Sequence, residues 1–267
     1  MQRTKRQSGT AARSLKRDWN YLETLGIPLK TGSKRSQVFI RKIDEGSKRT
    51  TAYVKIYANN RAAFQRLFRK SRSHIEAKNL CFFKASGIST PRIIAWGEER
   101  NRLGKVTRDF IITESIDQAV QLDDFIRERN TSVKDRVRLA KELGYWLRDI
   151  HHEGFYHKDI HWRNILVHME KKGPSLYWID CPRGSFHRLP PVRKHWRIKD
   201  CAILDKYASV LCSPVERLAF LSAYLGEHHR STELQQFADQ IVTYRRNRYD
   251  RRTGRTRVQP VNAGDAP

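Results

Sequence analysis

Acidic residues are scarce in this chain: 28 Asp and Glu stand against 53 Lys and Arg, a formal net charge of +25 over 267 residues. That excess decides nothing about fold, but it favours polyanionic partners such as nucleic acid, acidic lipid headgroups or phosphorylated glycans. Cysteine is sparse too. Cys81, Cys181, Cys201 and Cys212 form no CxxC pair and no zinc-ligand spacing, so they read as buried or incidental thiols in a reducing compartment. Long apolar runs are missing. The longest apolar-leaning stretch, Leu218 to Leu225, is far short of the ~20 residues a membrane span needs. The N-terminus is basic but has no apolar segment of the secretory-signal kind. No zinc finger or RNP-like aromatic motif occurs, so nucleic acid is not the expected partner.

What is present suits a globular protein: 39% hydrophobic and 10% aromatic residues, enough for one large domain or two small lobes. Residues 1–20 read as a flexible basic arm. Two strand-like runs, Gln37 to Ile43 and Thr51 to Tyr57, flank Asp44-Glu45-Gly46-Ser47 and predict a hairpin. Arg61 to Ser86 is rich in helix formers, with a break expected near Ser71 and a stop at Gly87 and Pro91. Strands are expected around Arg92 to Gly97 and Asp109 to Thr113. After Glu114 the pattern turns helical. Val133, Val137, Ala140, Gly144, Leu147 and His151 mark a helical seam, with Ser132 as its N-cap. Ser213, Pro214 and Glu216 make a capping box for a helix ending at Leu225 before Gly226. A last helix is expected over Thr232 to Arg245, followed by an arginine-rich tail. This predicts an α+β, bilobal outline: an N-lobe of small sheet and one main helix over 21–114, a larger helical C-lobe over 115–246, and a basic and polar tail over 247–267.

The chemistry concentrates at Tyr156-His157-Lys158-Asp159-Ile160-His161-Trp162-Arg163-Asn164, the spacing H-x-D-x-x-x-x-N ahead of an apolar strand. Phosphoryl transfer needs a carboxylate on the acceptor hydroxyl and metal ions on the phosphates, with little covalent work. Asp159 fits the first role and Asn164 a metal ligand, the short loop between them converging both on one site. Lys158 fits either neutralisation of the transferring phosphoryl or anchoring of the loop. Asp180 ends the apolar strand Leu176 to Ile179 and suits the second metal ligand. Upstream, Lys55 interrupts the apolar strand Tyr53-Val54-Lys55-Ile56, where a buried lysine is costly unless paired. Glu76, on the expected helix, is the partner that would complete a phosphate-positioning pair. His151, His152, His157 and His161 match no standard zinc spacing. His157 reads better as a loop brace, and Asp200 as structural.

The order Lys55, Glu76, Asp159, Asn164, Asp180 resembles protein-kinase-like folds. The intervening wording is similar to the lipopolysaccharide core kinases of Gram-negative bacteria, the Kdo/WaaP type. It lies in Tyr53-Val54-Lys55-Ile56-Tyr57, in Gly87-Ile88-Ser89-Thr90-Pro91-Arg92-Ile93-Ile94-Ala95-Trp96-Gly97, and in His195-Trp196-Arg197-Ile198-Lys199-Asp200 with Leu218 to Leu225 beyond. The resemblance implies ATP- and Mg²⁺-dependent phosphorylation of a heptose or Kdo of the inner core, by an enzyme resting on the anionic cytoplasmic face of the inner membrane. It implies α/β-phosphate binding by Lys55 and adenine contact by the backbone of Glu114 to Ile116. Gly32-Ser33-Lys34-Arg35-Ser36 stands where a G-x-G-x-x-G loop is usual, and Asp180-Cys181-Pro182 where Asp-Phe-Gly is usual. The short link from Asp180 to Asp200, expected at the start of the next helix, favours a sugar or small acceptor over a regulated protein kinase. The alternatives are a kinase-like phosphotransferase acting on protein or a metabolite, and a catalytically weak basic binding module.

Overall fold

The computed structural model describes residues 30–32, 36–45, 48–58, 70–128, 131–226 and 231–250. The basic arm, the residues 33–35 of the expected phosphate-covering loop, the first part of the expected long helix and the tail beyond Asp250 lie outside these. The chain divides into two compact units. One holds the described residues up to Phe82 together with Thr90–Asp117; the other holds Phe83–Ser89 and the described residues from Gln118 onward.

In the first unit, five antiparallel strands lie in the order β1-β2-β3-β5-β4. They are β1 (Lys30–Gly32), β2 (Ser36–Glu45), β3 (Lys48–Ala58), β4 (Ile93–Arg100) and β5 (Val106–Glu114). The expected β2–β3 hairpin forms in a register that pairs Ile40 with Tyr53 and Val38 with Lys55. Strand alternation sends Ala52 and Val54 inward, where they meet Phe39, Phe110 and Ile112 in one cluster. Phe110, Ile111 and Ile112 are all buried, as suits β5, an interior strand between β3 and β4. Helix α1 (Arg72–Ala85) begins just after Ser71, whose Oγ accepts the His74 N–H at 3.1 Å. A second carboxylate serves the same helix start: buried Asp109 accepts the Ser73 N–H at 2.7 Å.

The second unit carries helices α2 (Leu122–Arg127), α3 (Val133–His152), α4 (Pro190–Leu211), α5 (Pro214–Leu225) and α6 (Ser231–Arg245), with a π-turn at Arg246–Asp250. The described residues here also form strands, β6 (Val120–Gln121), β8 (Ile165–Glu170) and β9 (Gly173–Trp178), in the order β6-β8-β9, and a ribbon of β7 (Phe155–Tyr156) with β10 (Ser185–Phe186). The two-residue strands escaped the sequence reading because so short a run carries no periodicity. The cap at Ser132 forms, its side chain accepting from the Asp135 N–H, and so does the reciprocal capping box of Ser213 and Glu216.

Two expectations need correction. The α3 seam is buried only in its second half: Val133 is exposed, and the stripe that packs is Leu139, Leu143, Leu147 and Ile150, with Gly144 and His151. Tertiary packing chose the leucines, whose rows offer more apolar area than Val133, Val137 and Ala140. Gly144 is required by contact: a Cβ there would sit 2.6 Å from the Phe220 carbonyl oxygen of α5. The second correction concerns Asp200. It lies in the middle of α4, because the helix already starts at the Pro190-Pro191 pair, whose fixed φ suits a first turn.

Candidate functional site

In the first unit, Lys55 and Glu76 meet as the spacing predicts. Lys55 Nζ lies 3.5 Å from Glu76 Oε1, and both side chains are largely buried. Lys55 sits mid-strand opposite Ile111 of β5 and Val38 of β2. Tyr57 completes the arrangement: its hydroxyl donates to Glu76 Oε2 at 2.5 Å, and its ring lies 5.1 Å from the Lys55 ammonium. Tyr57 was missed by the sequence reading, although a residue two positions along a strand shares the face of Lys55. At the end of β5 two main-chain N–H groups are already committed. Glu114 donates to Arg92 O and Ser115 to Thr51 O, both at 2.8 Å. The Glu114 side chain pairs with Arg92 at 2.6 Å and Lys48 at 3.4 Å, which hold its carboxyl below the usual range.

In the second unit, the loop from His157 to Asn164 is held from below by Asp200. Its carboxylate accepts the His157 and Lys158 main-chain N–H groups, each at 2.8 Å, and contacts His151 Nε2 at 3.3 Å. Asp200 and His151 are fully buried. Burial pushes the His151 imidazole down, against the opposing pull of Asp200. His157 is buried as well, stacked on Phe83 at 5.9 Å and edge-on to Trp178 at 5.7 Å. Burial lowers its pKa, so it braces the loop as a neutral ring. Lys158 adopts a positive φ of 67°, and its Nζ donates to Ser185 Oγ at 2.5 Å. That contact ties the Lys158 side chain to β10.

Asp159 emerges from this frame partly exposed. His161 Nε2 lies 3.0 Å from Oδ1 and Arg183 3.8 Å from Oδ2. Burial alone would raise the Asp159 pKa; the hydrogen bond and charge of His161, with Arg183, outweigh it and hold the carboxyl below its ordinary value. An ionised carboxylate is what a hydroxyl proton needs. Neither His161 nor Arg183 was singled out as its partner from sequence, and only adjacency in the loop hinted at His161.

Asn164 donates its amide N–H to the Asp159 carbonyl at 3.0 Å, which turns its Oδ1 away. Strands β8 and β9 set the rest: Ile165 pairs with Trp178 and the Ile179 N–H donates to Asn164 O at 2.9 Å. Asn164 and Asp180 therefore flank the same end of one hairpin. Asp180 takes a left-handed φ of 61°, a conformation Asp tolerates better than most residues. An amide oxygen and a carboxylate are hard oxygen donors of the kind Mg²⁺ accepts, with phosphate oxygens and water filling the other positions. Among the described residues, no group of three or more His, Cys, Asp or Glu side chains could hold a metal ion.

Residues 33–224 match the model of the lipopolysaccharide kinase (Kdo/WaaP) family. A search of curated proteins returns no match. Among solved structures, a WaaP chain in complex with acyl carrier protein superposes with a TM-score of 0.69 at 20% identity, covering 93% of this chain and 98% of that one. At that identity the match shows a shared fold.

Proposed function

Because the chain belongs to the lipopolysaccharide kinase (Kdo/WaaP) family, we propose that it transfers the γ-phosphoryl group of ATP to a hydroxyl of a heptose or Kdo in the lipopolysaccharide inner core. The observation that carries this reading is the Asp159 loop: an ionised carboxylate flanked by His161, with Asn164 tied back to it. Asp159 orients the sugar hydroxyl and accepts its proton as the oxygen attacks phosphorus. Asn164 Oδ1 and Asp180 would hold Mg²⁺, which when bound would neutralise charge on the phosphates. Lys55, fixed by Glu76 and Tyr57, binds the α- and β-phosphates. The Glu114 carbonyl and Ile116 N–H match the adjacent donor and acceptor on the edge of adenine.

The experiment is transfer of labelled γ-phosphate from ATP to dephosphorylated lipopolysaccharide core with Mg²⁺. Label on the core sugar, reduced by about 10²–10⁴-fold in Asp159→Ala, is the expected result. Label absent from core but present on protein or a metabolite would move the acceptor and keep the enzyme class. A folded protein with no turnover on any acceptor leaves the basic binding module as the reading.

No described helix is long and apolar enough to cross a membrane. The proposal places the enzyme on the inner-membrane surface through its net charge of +25, each basic residue near anionic lipid contributing about 1 kcal/mol. Co-sedimentation with anionic vesicles should weaken as salt rises; a salt-independent result argues against this. We extend the proposal to an acyl carrier protein, the partner of the solved neighbour. A binding titration with that carrier tests it, and absence of binding removes it.

A further inference from the structure

Between Asp180 and Asp200 the chain carries six Lys and Arg and no Asp or Glu. β10 and the start of α4 lie in this stretch, and two of its apolar side chains stand in solvent: Leu189 is 68% exposed and Phe186 49%. Arg188 sits between them in sequence, with Arg183 and Lys194 to either side. All three cations are exposed, as are Pro190 and Pro191. Among the described residues neither Arg188 nor Lys194 has a carboxylate partner. Exposed apolar residues scattered singly are ordinary. Two of them within four residues, among unpaired cations, are not.

The turn is held firmly at its base. Ser185 and Phe186 pair with Tyr156 and Phe155 of β7, and the His187 N–H donates to the Gly154 carbonyl at 2.8 Å. Arg193 is spent internally, donating to the Tyr156 hydroxyl at 3.2 Å and to the His151 and His152 carbonyls at 3.2 and 3.1 Å. The proline pair fixes the first turn of α4, and no acid there offsets the positive end of the helix. A surface so braced loses little freedom on binding. It is also tied to the catalytic loop, through Arg183 at 3.8 Å from Asp159 Oδ2 and through the Lys158 bond to Ser185. The three residues from Arg183 to Phe186 can span no more than about 11 Å.

Cations alone would suit any polyanion. Apolar side chains among them suit the boundary of an anionic bilayer, where Lys and Arg meet headgroup phosphates and Phe and Leu enter the acyl layer. We propose that the turn from β10 into α4 is the membrane-docking surface: Phe186 and Leu189 enter an anionic leaflet, Arg188 and Lys194 pair with its headgroups, and Asp159 is held close to the bilayer. The inference rests on the inner-membrane reading above and replaces a contact spread over the net charge by one oriented turn.

The full chain is titrated with vesicles of phosphatidylglycerol and phosphatidylethanolamine, and binding is read by co-sedimentation. Leu189→Ser should weaken binding by about tenfold, the scale of one aliphatic side chain returned to water, and adding Phe186→Ser should weaken it further. Arg188→Gln with Lys194→Gln should weaken it by about tenfold or more. Val133→Ser, at an equally exposed position on α3, should leave binding unchanged. Because Phe186 also packs edge-on against Phe155, Leu189→Trp gives a second readout: lipids with brominated acyl chains should quench its emission more than that of the wild type.

Wild-type binding that persists undiminished in Leu189→Ser and in the double Ser variant overturns this inference and leaves the membrane reading standing. Sensitivity to the Gln pair alone, with no added quenching in Leu189→Trp, marks a purely electrostatic contact of the kind an acidic protein would also use, and overturns it as well. No binding of the wild type to these vesicles overturns both.

Discussion

Asn164 reaches back to Asp159, its amide N–H donating to the Asp159 carbonyl at 3.0 Å. The backbone of one site residue thereby orients the side chain of the other. An amide with its nitrogen so engaged presents its oxygen to the opposite side, where a metal ion can use it. The tether spans the four residues between the pair, where the short 3₁₀ turn at Trp162–Asn164 folds the chain back on itself.

Asn164→Ala removes both the tether and the oxygen. The Mg²⁺ concentration for half-maximal activity should rise by about 10–100-fold, the range seen when a metal site loses supporting contacts. A metal titration of the purified variant checks this. An unchanged Mg²⁺ requirement would remove Asn164 from the ligand set.

The Lys55–Glu76–Tyr57 cluster gives a graded series. Lys55→Met should lower kcat/KM for ATP by about 10–100-fold, since one charge-assisted contact to phosphate is lost. Glu76→Gln keeps the shape and the Tyr57 contact, so its effect should be smaller. Tyr57→Phe should cost about 1 kcal/mol of stability, with the least effect on turnover. Steady-state kinetics beside thermal melts separate the two readouts. Equal losses in all three variants would point to a structural role only.

Stability should fall on mild acidification. Burial lowers the pKa values of His151 and His157 in the folded state, while in the unfolded chain both sit near about 6.5. Below that value the unfolded state binds more protons, so the stability contributed by the two neutral rings is lost as pH drops. Asp159, whose pKa is depressed, adds its own loss only at lower pH, as it protonates. Denaturant melts between pH 7.5 and about 5 should show a falling midpoint. His157→Phe should flatten the slope, because no described side chain hydrogen-bonds either ring nitrogen. A slope unaffected by His157→Phe and by His151→Asn would sink this account.

Glu216 serves two partners at once. One oxygen accepts the Ser213 N–H at 2.6 Å, and the carboxylate pairs with Arg136 across the α3–α5 contact. Glu216→Ala should therefore destabilise by about 3–5 kcal/mol, the cost of breaking a buried pair from one side. Adding Arg136→Met should recover part of that, since the uncompensated guanidinium is gone. Additive losses in the double-mutant cycle would mean the two residues are not coupled.

Much of this molecule was legible before any coordinates. The β2–β3 hairpin, the capping box at Ser213 and the Lys55–Glu76 pair are signalled by alternation, by a four-residue motif and by the cost of an unpaired buried lysine. The α3 seam fails at its start because Val133, although on the same side of the helix as Gly144 and His151, lies in the first turn and stays exposed. Only the neighbours decide how far along a face the packing reaches. Asp109 at the start of α1 gave no signal, since its partner Ser73 lies 36 residues earlier.

The division follows the range of the interactions. Sequence alone determined the longer elements, the caps at Ser132 and Ser213 and the spacing of Asp159 and Asn164, because those depend on residues within a few positions of one another along the chain. Tertiary structure alone decided that Asp200 supports His157 from 43 residues away. It also decided that His161 and Arg183 keep Asp159 ionised. Those relationships require distant segments to pack, and packing is settled by the whole burial of apolar surface rather than by any local pattern.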